Sequence, residues 1–298
     1  MLNLDYLAKL VDTHRQQLDA PVCSFELRSH SFKPWPEVSV MGVINLSRDS
    51  WYRESVVTTV EAAVRRGLRL AAEGARLVDV GAESTLLQAS RVGADGQISR
   101  LIPVVEQLSA AGVLVSVETY HPTVTEACLN AGATVVNLTA GRDTGEFYGM
   151  AADHEAGVII CYIQDAANVR EVNEFRRQED PVSLLYEYFS REIDAAVAAG
   201  CERIWIDPGL GFYYRNLQDS AERVAHQMKT FLNSFRLRTL GWPVCHALPH
   251  AFEYFEEEVR SAEPFFAVMA LLGQTDLLRS HEVARVRGVL ETMRVMPG

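Results

Sequence analysis

The chain has 298 residues with 48% apolar and 22% charged side chains, which suits a soluble globular protein of one large α/β barrel or two medium domains. Its 28 Lys and Arg against 39 Asp and Glu leave a net charge of −11, and no basic block interrupts this, which argues against a nucleic-acid partner. Five cysteines are scattered without a C-x-x-C, and no apolar run approaches the ~18–20 residues of a membrane span. Reduced thiols, no membrane partner, and a cytoplasmic location are therefore expected; any anionic substrate needs a local positive site against the acidic background.

Residues 1–37 form an N-terminal extension. Leu4, Leu7, Leu10 and Val11 have helical spacing, Val22 to Phe32 reads as a short strand or hairpin, and Pro34 and Pro36 close the segment. From residue 38 to 298 the pattern is regular. Strands are expected at 38–45, 77–81, 113–118, 134–137, 158–163, 203–207, 243–246 and 276–279. Helices are expected at 57–74, 98–112, 123–132, 147–156, 182–200, 219–237, 263–272 and 283–293. Eight strand-then-helix units imply parallel strands with right-handed crossovers, and so a (β/α)8 TIM barrel with a short N-terminal extension. The alternative is an open doubly wound sheet. No G-x-G-x-x-G follows the first strand, which weakens a dinucleotide-binding reading.

Polar residues gather where these strands end. The stretch Ile204-Trp205-Ile206-Asp207-Pro208-Gly209 runs three apolar residues into an acid, and then proline and glycine stop the strand. Asp207 alone could be a loop cap. However, Asn45, Asp79, Glu83 to Thr85, Glu118, Asn137, His246, Arg279 and His281 occupy comparable positions on other strands. So many polar groups at buried strand ends must be paired with each other or with a ligand. Two carboxylates and an amide (Glu118, Asp207, Asn137) can accept and donate to a ring with adjacent N–H groups. Arg279 and His281 can hold an anion, with Asn45 and Thr85 as neutral partners. A heterocycle with an anionic tail fits; guanine-like, flavin-like and pterin rings all satisfy that chemistry.

Ordered motifs from about Val38 to Val295 carry a resemblance. Met41 to Ser50 is similar to M-G-I-L-N-V-T-P-D-S, Asp79 to Thr85 to D-V-G-G-E-S-T, and Ser116 to Tyr120 to S-V-D-T-Y. Val135-Val136-Asn137 is similar to I-I-N, Asp207 to Phe212 matches D-P-G-x-G-F, and Arg279 to Val283 is similar to R-V-H-D-V. These motifs resemble the dihydropteroate synthase family of pterin-binding barrels. The resemblance implies an eight-stranded barrel that joins dihydropterin pyrophosphate to 4-aminobenzoate, with Mg2+. It implies Glu118, Asn137 and Asp207 at the pterin ring, and Asn45, Thr85, Arg279 and His281 around the pyrophosphate. Asn45 also contacts the metal, and loops 47–55 and 86–97 close over the site. Relatives of this family are usually dimers, and the apolar last helices offer a homodimer surface. No catalytic residue is singled out.

The departures are as specific. Leu86 and Leu87 stand where the family has arginine and proline, Glu118 replaces an aspartate, and the seventh-strand S-R-K is absent. Cys245-His246-Ala247-Leu248-Pro249-His250 runs there instead. Expelling pyrophosphate loads charge on the leaving oxygens, and each lost donor there costs about 10²–10³ in rate unless replaced. His250, Arg48 and Arg53 are candidate replacements, with Arg142 and Arg215 further along. The alternative is a pterin-binding paralogue without synthase activity: a binder, a partner subunit or a folate-dependent methyltransferase-like enzyme.

Overall fold

Strands rich in Val, Ile and Leu on both faces cannot meet water on either side, so they demand helices outside and packed side chains inside. In the computed structural model, residues 1–47, 56–57, 59–86, 89–172, 174–175, 179–212, 214 and 219–296 are described. The chain opens with α1 (Leu4–Leu18), whose first turn is capped by the Asn3 side chain accepting from the Tyr6 amide at 2.9 Å. A hairpin follows, β1 (Phe25–Leu27) against β2 (His30–Phe32). The barrel then alternates: β3 (Ser39–Asn45), α2 (Val60–Ala72), β4 (Leu77–Gly81), α3 (Ala94–Ala110), β5 (Val115–Thr119), α4 (Pro122–Asn130), β6 (Val135–Leu138) and α5 (Gly145–Asp153). It continues with β7 (Gly157–Cys161), α6 (Ser183–Ala198), β8 (Ile204–Asp207), α7 (Ser220–Asn233), β9 (Cys245–Ala247), the single turn α8 (Phe252–Phe255), α9 (Ala262–Leu272), β10 (Leu277–Ser280) and α10 (Val283–Met293).

Eight strands pair in the order β8-β7-β6-β5-β4-β3-β10-β9, every pair parallel. The circle closes between β8 and β9 through one bridge, Ile206 to Val244, and an Ile206 amide bond to the Pro243 carbonyl at 3.1 Å. This is the expected (β/α)8 barrel. Element ends differ from expectation where glycine and polar residues mask a first turn: α3 begins at Ala94, ahead of Ile98. The helix expected over 219–237 stops at Asn233 and tightens into a 3-10 stretch, Ser234–Leu240, that ends on Gly241 in the left-handed region (φ 84°).

The inner floor of the barrel is apolar. Met41, Leu77, Val135, Ile159, Trp205, Cys245 and Leu277 pack in one cluster. The Trp205 indole fits because residue 157 is glycine; a Cβ there would stand 2.8 Å from the ring. From below, Phe25 and Phe32 of the hairpin meet Trp205 edge-on, with centroids 4.6 and 5.2 Å away. Three arginines fasten the hairpin: Arg203 donates to the Glu26 carbonyl (2.6 Å), Arg76 to Ser31 (2.9 Å) and Arg28 to Gly132 (3.0 Å). The amino-terminal mouth is thus plugged, and the carboxyl mouth is where polar groups collect. Among the described residues no helix is long and apolar enough to cross a membrane, and all five cysteines carry free thiols.

Candidate active site

Parallel register brings the strand-end residues level. Asn45 lies beside Gly81, Gly81 beside Glu118, and Glu118 beside Asn137. Asp79, two residues back on β4, has no exposed surface. It accepts from the Ser116 hydroxyl (2.6 Å), the Asn137 amide (3.1 Å) and the Arg279 guanidinium (2.7 Å). The same guanidinium donates to Glu118 at 2.6 Å. Asn137 completes its amide by accepting from the Cys161 thiol at 3.3 Å; burial pushes that thiol up, so it stays protonated. Among the described residues, the Arg279 guanidinium is thus bonded to Asp79 and Glu118, and its charge also acts on Asp207.

Burial pushes Glu118 up to about 7, with Arg279 opposing and Asp79, Asp207 and Glu83 adding to the rise. Burial likewise pushes Asp207 up to about 6, against the hydrogen bond from the Gly209 amide and the charge of Arg279. Asp207 does cap its loop, accepting from that amide at 2.8 Å. The Ala247 backbone and the Cys245 thiol on β9 also favour its ionised form.

A cleft of about 110 Å³ opens above this floor, lined by Asn45, Glu83, Thr85, Glu118, Arg279 and His281, with His250, Gln227 and Arg223 on the far wall. Asn137 and Asp207, each 4% exposed, do not reach the cleft wall. The structure thus gathers Asn45, Thr85, Glu118, Arg279, His281 and His250 around one opening and leaves Asn137 and Asp207 buried. A larger cavity of about 550 Å³ lies between α2 and α3, bordered by Arg91 and Arg100, and is not lined by these acids.

At the wall away from Asp79, the His281 ring donates through Nδ1 to the Glu263 carboxylate at 2.8 Å, while its Nε2 is 3.5 Å from the Asn45 amide. His250 Nε2 is 3.1 Å from the same Glu263 oxygen. Glu263 is wholly buried and accepts from the backbone amides of His281 and Glu282 and from the Ser280 hydroxyl. Burial alone would raise Glu263, but the two histidines and their bonds outweigh it and hold the carboxyl well below the usual range. Burial lowers His281 to about 4, against the pull of Glu263, so the ring is neutral at pH 7.

Several side chains fall elsewhere. His246 is buried outside the cleft with Nε2 2.6 Å from the Ser234 hydroxyl. Arg142 donates to the Asp165 carbonyl in a separate depression. Arg48, Arg53, Arg215 and Leu87 lie outside the described residues. Leu86 is buried. Sequence reasoning placed Asp79 at a strand end without a role and passed over Glu263, Arg223 and Arg170. Asp79 and Glu263 are acids in apolar settings, a signal readable in Leu77-Val78-Asp79-Val80 and in Ala262-Glu263-Pro264-Phe265-Phe266. Arg223 lines the cleft from α7, paired to Glu253 at 2.7 Å. Arg170 is buried beneath the loop after β4 and donates to the Ser84 and Ala89 carbonyls at 2.7 and 2.6 Å. Neither arginine carries a local pattern that marks it.

A family model described as pterin binding enzyme matches residues 41–248. The dihydropteroate synthase of Streptococcus pyogenes serotype M6 is 31% identical over 210 residues, which cover 69% of this chain and 73% of that one. The chain belongs to the dihydropteroate synthase family. Among solved structures, Xanthomonas albilineans dihydropteroate synthase with 4-aminobenzoic acid is 30% identical, with a TM-score of 0.74 over 92% of this chain and 99% of its own. The same enzyme in complex with 7,8-dihydropteroate is 27% identical, with a TM-score of 0.71 over 92% and 99%. In this chain, His250, Glu263, Arg279 and His281 lie beyond the stretch matched by the family model.

Proposed function

We propose that the chain binds a dihydropterin pyrophosphate, with the ring on Glu118, Asn137 and Asp207 and the diphosphate toward Asn45, Thr85 and His281, and condenses it with 4-aminobenzoate. The observation that carries this reading is the acid-rich floor, where Asp79, Glu118 and Asp207 outnumber the one guanidinium among them. A ring presenting adjacent N–H groups supplies the missing donors and favours the ionised acids. Because Asp207 and Asn137 are covered, Arg279 must leave Glu118 as the ring enters. The freed guanidinium then stands over the ring or at its anionic tail.

In the condensation, the amine nitrogen of 4-aminobenzoate attacks the methylene carbon beside the pterin ring. The carbon–oxygen bond to pyrophosphate breaks, and the amine loses one proton. Asp207 and Asn137 hold the ring so that the methylene faces the cleft. The diphosphate's charge draws on Arg279 and Arg223, with the neutral His281 ring beside it. Mg2+ takes few protein ligands and several phosphate and water oxygens, so the Asn45 side chain at the cleft wall fits as its protein ligand. When bound, that ion would supply positive charge to the leaving pyrophosphate.

A second reading is favoured by Leu86 at the arginine position and by the absence of the S-R-K run: pterin binding without turnover, as a binder, partner subunit or methyltransferase-like enzyme. Pyrophosphate release from dihydropterin pyrophosphate, 4-aminobenzoate and Mg2+, measured beside calorimetric pterin binding, separates them. Turnover supports the synthase, and binding without turnover supports the paralogue. No binding of any pterin refutes both. A homodimer through α9, where Phe265 and Leu272 are exposed, belongs to the same proposal and is read by sedimentation.

A further inference from the structure

We propose that His250, Glu263 and His281 form a three-ligand site for a divalent transition-metal ion, Zn2+ by its ligand chemistry, at the diphosphate end of the cleft. Three donor atoms converge there: His281 Nδ1 and Glu263 Oε1 at 2.8 Å, His250 Nε2 and the same oxygen at 3.1 Å, and the two ring nitrogens at 3.3 Å. These distances put the atoms on a circle of radius about 1.8 Å. An ion ~2.0–2.1 Å from each, the ordinary zinc–nitrogen and zinc–oxygen length, then stands about 1 Å out of their plane with a fourth position open. Two imidazoles and one carboxylate with an open position is the ligand set of catalytic zinc. It is unsuited to Mg2+, which prefers oxygen.

The surroundings already orient these ligands. The other Glu263 oxygen is held by the Ser280 hydroxyl and by the His281 and Glu282 amides, the last two at 2.9 and 3.0 Å. Such outer contacts fix a metal-binding carboxylate. The His281 ring is backed at Nε2 by Asn45, 3.5 Å away. With Nδ1 on a metal, Nε2 carries the proton and donates to the Asn45 amide oxygen, with that amide turned over. Both histidines line the cleft while Glu263 has no exposed surface, so an ion held by all three is reached from the cleft. There it contributes the positive charge that the absent lysine and arginine would have given a diphosphate, with a phosphate oxygen in the open position. That last clause rests on the functional reading above; the metal site does not.

The test titrates metal-stripped full-length protein with Zn2+ against a chelating dye, and separately with Co2+ followed by its visible absorption. One equivalent should bind, unaffected by excess Mg2+, and His250→Ala should weaken it at least ~100-fold and abolish the Co2+ band. Glu263→Gln should do the same, and His250→Ala guards against that buried substitution simply unfolding the chain. Binding well below one equivalent, or Zn2+ affinity unchanged in His250→Ala, overturns the proposal and leaves the three side chains a hydrogen-bonded cluster. Zn2+ binding without any pterin binding sustains the metal site and refutes the functional reading; pterin binding without Zn2+ does the reverse.

Discussion

Replacing Asp207 by asparagine should make stability less dependent on pH while abolishing pterin binding, and the structure fixes the size of the first effect. Burial lifts this carboxyl from 3.8 to about 6. Two units at 1.36 kcal/mol each mean that the ionised side chain costs the fold about 3 kcal/mol at pH 8. The folded pKa lies above the unfolded one, so the native state binds more protons between pH 4 and 6, and wild-type stability falls as pH rises through that window. At pH 5 about half of the penalty remains. Asparagine carries none of it. Its oxygen can still accept from the Gly209 amide, but its NH2 group then faces the Ala247 amide, at a pH-independent cost of about 1–3 kcal/mol. Urea unfolding of both proteins at pH 5 and pH 8 should therefore show the variant gaining roughly 1–2 kcal/mol on the wild type as pH rises. Calorimetry should show pterin affinity lost at both values. A stability difference independent of pH would refute the strained carboxylate. Unchanged affinity would refute the placement of the ring.

Pterin affinity of the wild type should fall on acidification, since Glu118 at about 7 and Asp207 at about 6 must both be ionised to accept from the ring. Each contributes up to about tenfold per pH unit below its own value, and calorimetry from pH 8 to pH 5 reads it. Arg279→Met leaves Asp79 and Glu118 buried without their guanidinium. This should cost about 3–5 kcal/mol at pH 8 and less at pH 5, where Glu118 is protonated, as measured by urea unfolding. Trp205→Ala should cost about 3–5 kcal/mol in the same assay at any pH, because the hairpin and the barrel floor lose their common ring.

The eight βα units were legible because buried parallel strands leave no polar face to confuse their pattern, and glycine closed most helices. Boundaries slipped where polarity and glycine coincide, as at Ala94, and where the α7 pattern ran on into a tighter helix. At the site, strand-end chemistry announced itself: a lone polar residue after an apolar run has few other reasons to be there. What periodicity could not convey is which strand-end group reaches which. Arg279 is 200 residues from Asp79 and 161 from Glu118, and only the pairing of β10 with β3 brings them within reach. Glu263 was hidden differently, since its α9 reads as an ordinary apolar helix and its histidine partners arrive from two other segments.

Neighbouring strands elsewhere in the barrel share three to five registered residues, but β8 and β9 meet at the single bridge of Ile206 and Val244. One residue on, the Asp207 carboxylate faces the same gap, its ionised form favoured by the Ala247 backbone and the Cys245 thiol across it. A side chain thus stitches a hem that the backbone leaves nearly open. A pterin ring held by Asp207, as proposed, would also brace that hem. Amide exchange at Ile206 and Ala247 should slow when the cleft fills, and the seam itself becomes a reporter of occupancy.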